Sequence, residues 1–126
     1  MTVGDLVLFP QRGRAHWRGR EVGLTVTEFN IVLLMASSPG ADFTYREIYD
    51  VVHGEGFFAG DGDEGVRVNV RSLIRRIRKK FKETGDSFNA IENYPAFGYR
   101  WISGTGSRNP PRSALLLSPE RGGLEP

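Results

Sequence analysis

The chain has 126 residues, enough for one domain with a modest core. Hydrophobic residues make up 39% and charged residues 25%, the balance of an ordinary globular protein and not of a disordered or fibrous one. There is no cysteine, which excludes disulfides and thiolate metal sites and is compatible with a cytosolic compartment, and no apolar run approaches the roughly 18 residues of a membrane span. The opening MTVGDLVLF lacks the charged-then-apolar pattern of a secretory signal.

A net charge of +2 says little about partners, but its distribution says more. Between Val66 and Lys82 stand eight basic residues, Arg67, Arg71, Arg75, Arg76, Arg78, Lys79, Lys80 and Lys82, and no acidic one. Gly54 to Glu64 just before it carries Glu55, Asp61, Asp63 and Glu64 with no basic residue. Positive charge gathered on one segment of a nearly neutral chain marks an anionic partner.

Residues 3–23 read as short antiparallel strands, VGDLVLF, AHW and REV, separated by turns at Pro10–Gly13 and Gly19. From Thr27 to Ser38 the period becomes helical: Phe29, Val32, Leu33 and Ala36 recur at three- and four-residue steps, Thr27 is the expected N-cap, and Pro39-Gly40 ends the run. A second helix is expected at about 44–53, where Thr44 and Glu47 have capping-box spacing and Ile48, Val51 and Val52 supply an apolar face. GEGFFAGDGDEG at 54–65 reads as a loop, followed by a basic helix at about 66–83 that ends near Gly85. NAIENYPAFGYRWIS then alternates around Tyr94-Pro95-Ala96 and predicts a β-hairpin at about 88–102. Residues 104–126 lose periodicity and gather Gly, Pro and Ser, the composition of a disordered tail, so the folded domain is expected at 3–103.

At 100° per residue, Val70, Ile74, Ile77 and Phe81 cluster on one arc of the basic helix, with Val66 and Leu73 at its edge. The opposite arc carries Asn69, Ser72, Arg75, Arg76 and Lys79, flanked by Arg71, Arg78 and Lys82. Self-repulsion among these cations is relieved by a phosphate backbone, and arginine suits the guanine edge, where its planar fork donates two hydrogen bonds. A solvated helix face is the plain alternative, though one without the carboxylates that usually balance such a face. A membrane surface is a minor reading, because the apolar stripe is needed by the core. Two helices, a basic third helix and a hairpin ending in Gly98-Tyr99-Arg100-Trp101 follow the order of a winged-helix domain.

The sequence resembles the DNA-binding effector domain of OmpR/PhoB-type response regulators. The matching stretches are LTVTEFNIVLLMASSPG at 24–40, YREIYDVV at 45–52, VRSLIRRIRKKFK at 70–82 and FGYRW at 97–101, and the ChvI-like members look nearest in pattern. The resemblance implies an α+β fold: a winged helix-turn-helix with an N-terminal antiparallel β-sheet, three helices and a C-terminal hairpin wing. It further implies sequence-specific binding to double-stranded promoter DNA, commonly as a head-to-tail pair on direct repeats, and contact with RNA polymerase through the 54–65 loop. The family's helix contacts fall on Leu73, Arg75, Arg76 and Arg78, with Leu73 apolar where the family often has a polar residue. In the wing, Pro95 stands where a minor-groove arginine can occur, leaving Asn93 and Arg100 as the weaker candidates. Family members usually begin with a receiver domain of roughly a hundred residues or more, and none is visible in this sequence. It therefore reads as an excised domain or a stand-alone regulator.

Catalysis has little support. His16 and His53 lie in different elements without metal-ligand spacing. Asp61, Asp63 and Glu64 do not meet the twelve-residue Ca²⁺-loop pattern, and the glycines from Gly54 to Gly65 form no phosphate-binding motif. No cofactor is expected. The competing class is a winged-helix protein-interaction module, which would carry apolar or acidic residues at positions 72, 75, 76 and 79.

Overall fold

Aliphatic residues alternating with polar ones fold the N-terminal segment into a meander in the computed structural model, which describes residues 1–53, 62–85 and 87–102, the side chain of Asp63 excepted. Strands β1 (Thr2–Val3), β2 (Leu6–Phe9), β3 (Arg14–Trp17) and β4 (Arg20–Val22) form one antiparallel sheet in that order. Its period of two turns Leu6, Leu8, Ala15, Trp17 and Val22 into the core. Trp17 pairs with Arg20 across a two-residue turn in which Arg18 (φ 52°) and Gly19 (φ 84°) are both left-handed, the geometry that matches strand twist. Arg18 is held there by its amide on the Asp5 carbonyl at 2.9 Å and its Nε on the Asp5 carboxylate at 2.9 Å.

Helix α1 (Val26–Ala36) is capped by Thr25 and not by Thr27. Thr25 Oγ1 accepts from the Glu28 amide at 3.1 Å, while Glu28 Oε1 accepts from the Thr25 amide at 2.8 Å. The reciprocal box needs a carboxylate three residues on, and the residue three beyond Thr27 is Asn30. The expected box at Thr44 and Glu47 is present at 2.9 and 2.8 Å and opens α2 (Tyr45–His53). Helix α3 (Gly62–Lys82) begins four residues before the expected start and takes in Gly62 to Gly65, whose two glycines weaken the helical signal in the sequence. The rest of the 54–65 loop and the expected tail at 104–126 lie outside the described residues.

Strands β6 (Ile91–Tyr94) and β7 (Gly98–Trp101) make the expected hairpin. The sequence did not announce β5 (Asp42–Thr44), which pairs with the other edge of β7 to give a three-stranded sheet ordered β5-β7-β6. Three residues are too few to display a period, and their partners lie far along the chain.

Four aromatic rings lock the layers together. Trp17 of β3, Phe81 of α3, Phe88 and Trp101 of β7 meet with centroids 4.5 to 6.3 Å apart, mainly edge to face. Such pairs add about 0.5–1.5 kcal/mol beyond the area they bury. They fix the C-terminal end of α3 against both sheets, so the opposite face of that helix is presented at a set angle to the hairpin.

Candidate nucleic-acid interface

The apolar stripe predicted for α3 is its buried side: Val66, Val70, Leu73, Ile74, Ile77 and Phe81 all join the core. Leu73 corrects one expectation. It is 7% exposed and packs inward, so it does not stand on the outward face with the arginines. It lies at the stripe's edge and joins the same core cluster as Val70, Ile74 and Ile77.

Arg71, Arg75, Arg76, Lys79 and Lys82 are exposed, and none has a carboxylate partner among the described residues. Asn69 and Ser72 are half-buried on the same helix, and Asn69 Oδ1 lies 3.3 Å from His53 Nε2. Between α3 and the hairpin opens a cleft of about 480 Å³, lined by Arg71, Arg75, Arg78, Lys79, Lys82, Asn93 and Tyr99. Five cations and an exposed asparagine thus border one concavity, an arrangement that attracts an extended anion.

Arg78 has a different job. Its guanidinium donates to the Ile91 carbonyl at 3.0 Å and lies 5.6 Å from the centre of the Tyr99 ring, tying α3 to the hairpin. The Tyr99 phenol is pushed above its ordinary range by burial and by Tyr45, against the weaker pull of Arg78 and Arg71. It stays neutral on the floor of the cleft. Arg100 is a second correction: its side chain is 12% exposed and ion-paired with Glu92 across the strand ladder. It belongs to the interior of the hairpin and not to a wing contact. Lys80 likewise turns inward, its Nζ 2.6 Å from the buried Glu28 carboxylate.

Sequence reasoning missed one neighbouring group. Arg67 lies over the Tyr45 ring at 5.8 Å, and a smaller cleft of about 250 Å³ brings Arg46 and Arg67 to Thr44, Tyr45, Ala96 and Phe97. Both arginines were visible as charge, but only the docking of α2 on α3 shows that they share a face with the hairpin tip. Among the described residues no cluster of His, Cys, Asp or Glu could hold a metal ion, and no helix is long and apolar enough to cross a membrane.

The family described as "Transcriptional regulatory protein, C terminal" matches residues 19–101, from β4 through the last strand of the hairpin. The chain belongs to this family. Members are DNA-binding domains of OmpR/PhoB-type transcriptional regulators, and not enzymes. The regulatory protein VanRB of Enterococcus faecalis is 34% identical over 98 residues, covering 78% of this chain and 40% of the relative. The phosphate regulon regulator PhoB of Rhizobium meliloti is 32% identical over 88 residues, 62% of this chain and 39% of the relative. The chain thus spans about 40% of the length of these relatives. Among solved structures, the DNA-binding domain of CpxR from E. coli superposes with a TM-score of 0.64 at 25% identity, covering 83% of this chain and 97% of that one. The DNA-binding domain of AdeR, solved in complex with an intercistronic region, gives 0.66 at 21% identity over 82% of this chain and 98% of that one, a likeness of fold. The family match and the unpaired cationic face of α3 agree on sequence-specific DNA binding in transcriptional control.

Proposed function

We propose that α3 lies in the major groove of double-stranded promoter DNA, with Arg75 and Arg76 reading or clamping base edges and Arg71, Lys79 and Lys82 holding phosphates. The observation that carries this reading is the row of exposed cations without carboxylate partners beside the cleft. The phosphate backbone supplies the missing counter-charge, and arginine supplies the bidentate geometry that guanine accepts. Asn93 borders the cleft from the hairpin side and completes the phosphate wall, so the wing at about 88–102 runs along the adjacent backbone or minor groove. Ser72 and Asn69 add short polar side chains to the same face.

The same reading extends to the whole regulator. The domain acts in the cytoplasm as the effector of a response regulator, as a head-to-tail pair on direct repeats, and meets RNA polymerase through the 54–65 segment, whose last four residues open α3. The ChvI-like subgroup rests on the sequence pattern alone.

Replacing Arg75 and Arg76 together with alanine is expected to weaken binding to the target duplex by about 2–6 kcal/mol in a fluorescence-anisotropy titration. Wild-type affinity falls steeply with salt, on a slope set by about four to eight phosphate contacts. Unchanged affinity in the double variant would overturn the assignment of this face. A flat salt dependence would instead favour a protein partner. The duplex for both measurements comes from selection out of a random DNA pool, and direct-repeat spacing in the selected motif tests the paired arrangement.

A further inference from the structure

One large aliphatic side chain interrupts the basic face of α3. Val68 is 53% exposed, the only exposed large hydrophobic residue on the described part of that helix. At 100° per residue it stands about 20° from Arg75 on one side and about 20° from Lys79 on the other. It therefore points directly away from the core, along the middle of the outward face. Its flanking residues are both engaged, Arg67 over Tyr45 and Asn69 beside His53, and its β-branched side chain has few rotamers on a helix. The methyl groups are held in one orientation before any ligand arrives.

An exposed aliphatic residue on a soluble surface needs no special explanation by itself. Its position does: valine is a poorer helix former than arginine, lysine or alanine, and here it contributes no burial to the core. We propose that Val68 reads a thymine in the target site by packing on its C5-methyl group in the major groove. This rests on α3 occupying that groove. Thymine is the one base that presents a methyl group there, whereas the edges of adenine, guanine and cytosine present polar atoms that valine would leave unpaired. Residues toward the N-terminal end of a recognition helix are the ones that approach base edges, and Val68 lies in the second turn of α3. Seven residues separate it from Arg75, about 10 Å along the helix axis, or on the order of three base pairs at 3.4 Å each. The site read by this protein accordingly combines a guanine under the arginine pair with a thymine about three base pairs away.

The test replaces each thymine of the selected duplex by deoxyuridine, one at a time, which deletes the methyl and leaves the pairing intact. Wild-type protein is expected to lose about fourfold in affinity at one position, the worth of one methyl group kept from water. Val68→Ala should bind the parent duplex about fourfold more weakly and lose that sensitivity at the same position. Alanine is the better helix former, so this variant stays folded, which thermal unfolding checks. Val68→Thr, which keeps one methyl group, should retain part of the discrimination. Equal sensitivity in wild type and Val68→Ala, or no sensitive thymine in the wild type, overturns the proposal. The Arg75→Ala, Arg76→Ala double variant separates the two readings in the same titration. Its loss of binding together with uniform tolerance of deoxyuridine sinks only the role of Val68, whereas unchanged binding sinks the recognition face and the thymine contact with it.

Discussion

Helix α3 and the β6–β7 hairpin stand side by side, and both carry arginine, but they use it in opposite ways. On α3, Arg75 and Arg76 are exposed without a carboxylate partner among the described residues. On the hairpin, Arg100 faces Glu92 across the ladder and is consumed by that pair, while the tip from Tyr94 to Phe97 holds no charge at all. The difference teaches that a basic residue advertises a ligand only where the fold leaves its charge unspent. In the proposed interface the helix is the electrostatic half, and the hairpin is mainly its scaffold.

The largest expected effect strikes the scaffold. A Cβ added at Gly98 would stand 1.8 Å from the Phe43 carbonyl oxygen and 2.8 Å from its carbon, both backbone atoms of β5. Neither can move without breaking the β5–β7 ladder, in which Thr44 faces Gly98. Gly98→Ala is expected to cost about 3 kcal/mol or more in urea unfolding, in the range of severe overpacking. A loss under about 1 kcal/mol would show that the hairpin is not seated on β5 in this way, and the contrast with α3 would lose its structural half.

Next comes Lys80, the cation of α3 that, among the described residues, is ion-paired with a carboxylate. Burial alone would raise the Glu28 carboxyl, but the Lys80 hydrogen bond, the Thr25 amide and the Lys80 charge outweigh it, and the net shift is downward from its ordinary value of 4.5. A depressed carboxyl contributes stability that is present above its unfolded value and is lost as pH falls through the folded one. The wild-type domain should therefore lose stability below about pH 4.5, and Glu28→Gln should flatten that part of the curve. At neutral pH the same variant is expected to cost about 1–3 kcal/mol in denaturant unfolding, with DNA affinity unchanged in the folded protein. A clear gain in affinity would mean that Lys80, released from Glu28, also reaches the ligand.

Periodicity made the wheel of α3 legible down to its core residues, because a long helix repeats its burial signal over several turns. The capping box of α2 was equally readable, since Thr44 and Glu47 act within four residues. What escaped was settled by contacts distant in sequence. Strand β5 exists because β7 passes beside it, and Arg100 looked like a wing cation until Glu92 was placed opposite. Leu73 sat on the border between two arcs, where the wheel alone leaves its direction to the packing. The cap of α1 was misplaced for a local reason: Thr25 and Thr27 both precede the apolar run, and only the spacing to Glu28 distinguishes them.

A paired substitution sharpens the comparison at smaller cost. Lys79→Ala is expected to lower affinity modestly and uniformly across DNA sequences and to reduce the salt slope by about one, with little effect on unfolding. Arg100→Ala should do the reverse, costing about 1–2 kcal/mol of stability by leaving Glu92 without its partner, while the salt slope holds. Anisotropy titrations at several salt concentrations, run beside urea curves, read both axes. A drop of about one in slope for Arg100→Ala would return that residue to the interface.

The smallest effect tests the hairpin tip. Ala96 occupies the left-handed region at φ 65°, where its Cβ crowds the following carbonyl at a cost of roughly 1 kcal/mol. Glycine removes that strain but gives the unfolded chain more freedom, which offsets much of the gain, so Ala96→Gly should stabilise the domain by about 0.5 kcal/mol or less, a rise of at most a few degrees in Tm. Because the tip is uncharged and the proposed phosphate contacts lie on α3, DNA affinity should stay within about twofold of wild type. A stabilised variant with clearly weaker binding would mean that the Ala96 methyl group itself touches the duplex. The hairpin would then be a reading element by shape beside the charge-based reading proposed for α3, and the strained alanine would be kept for that contact.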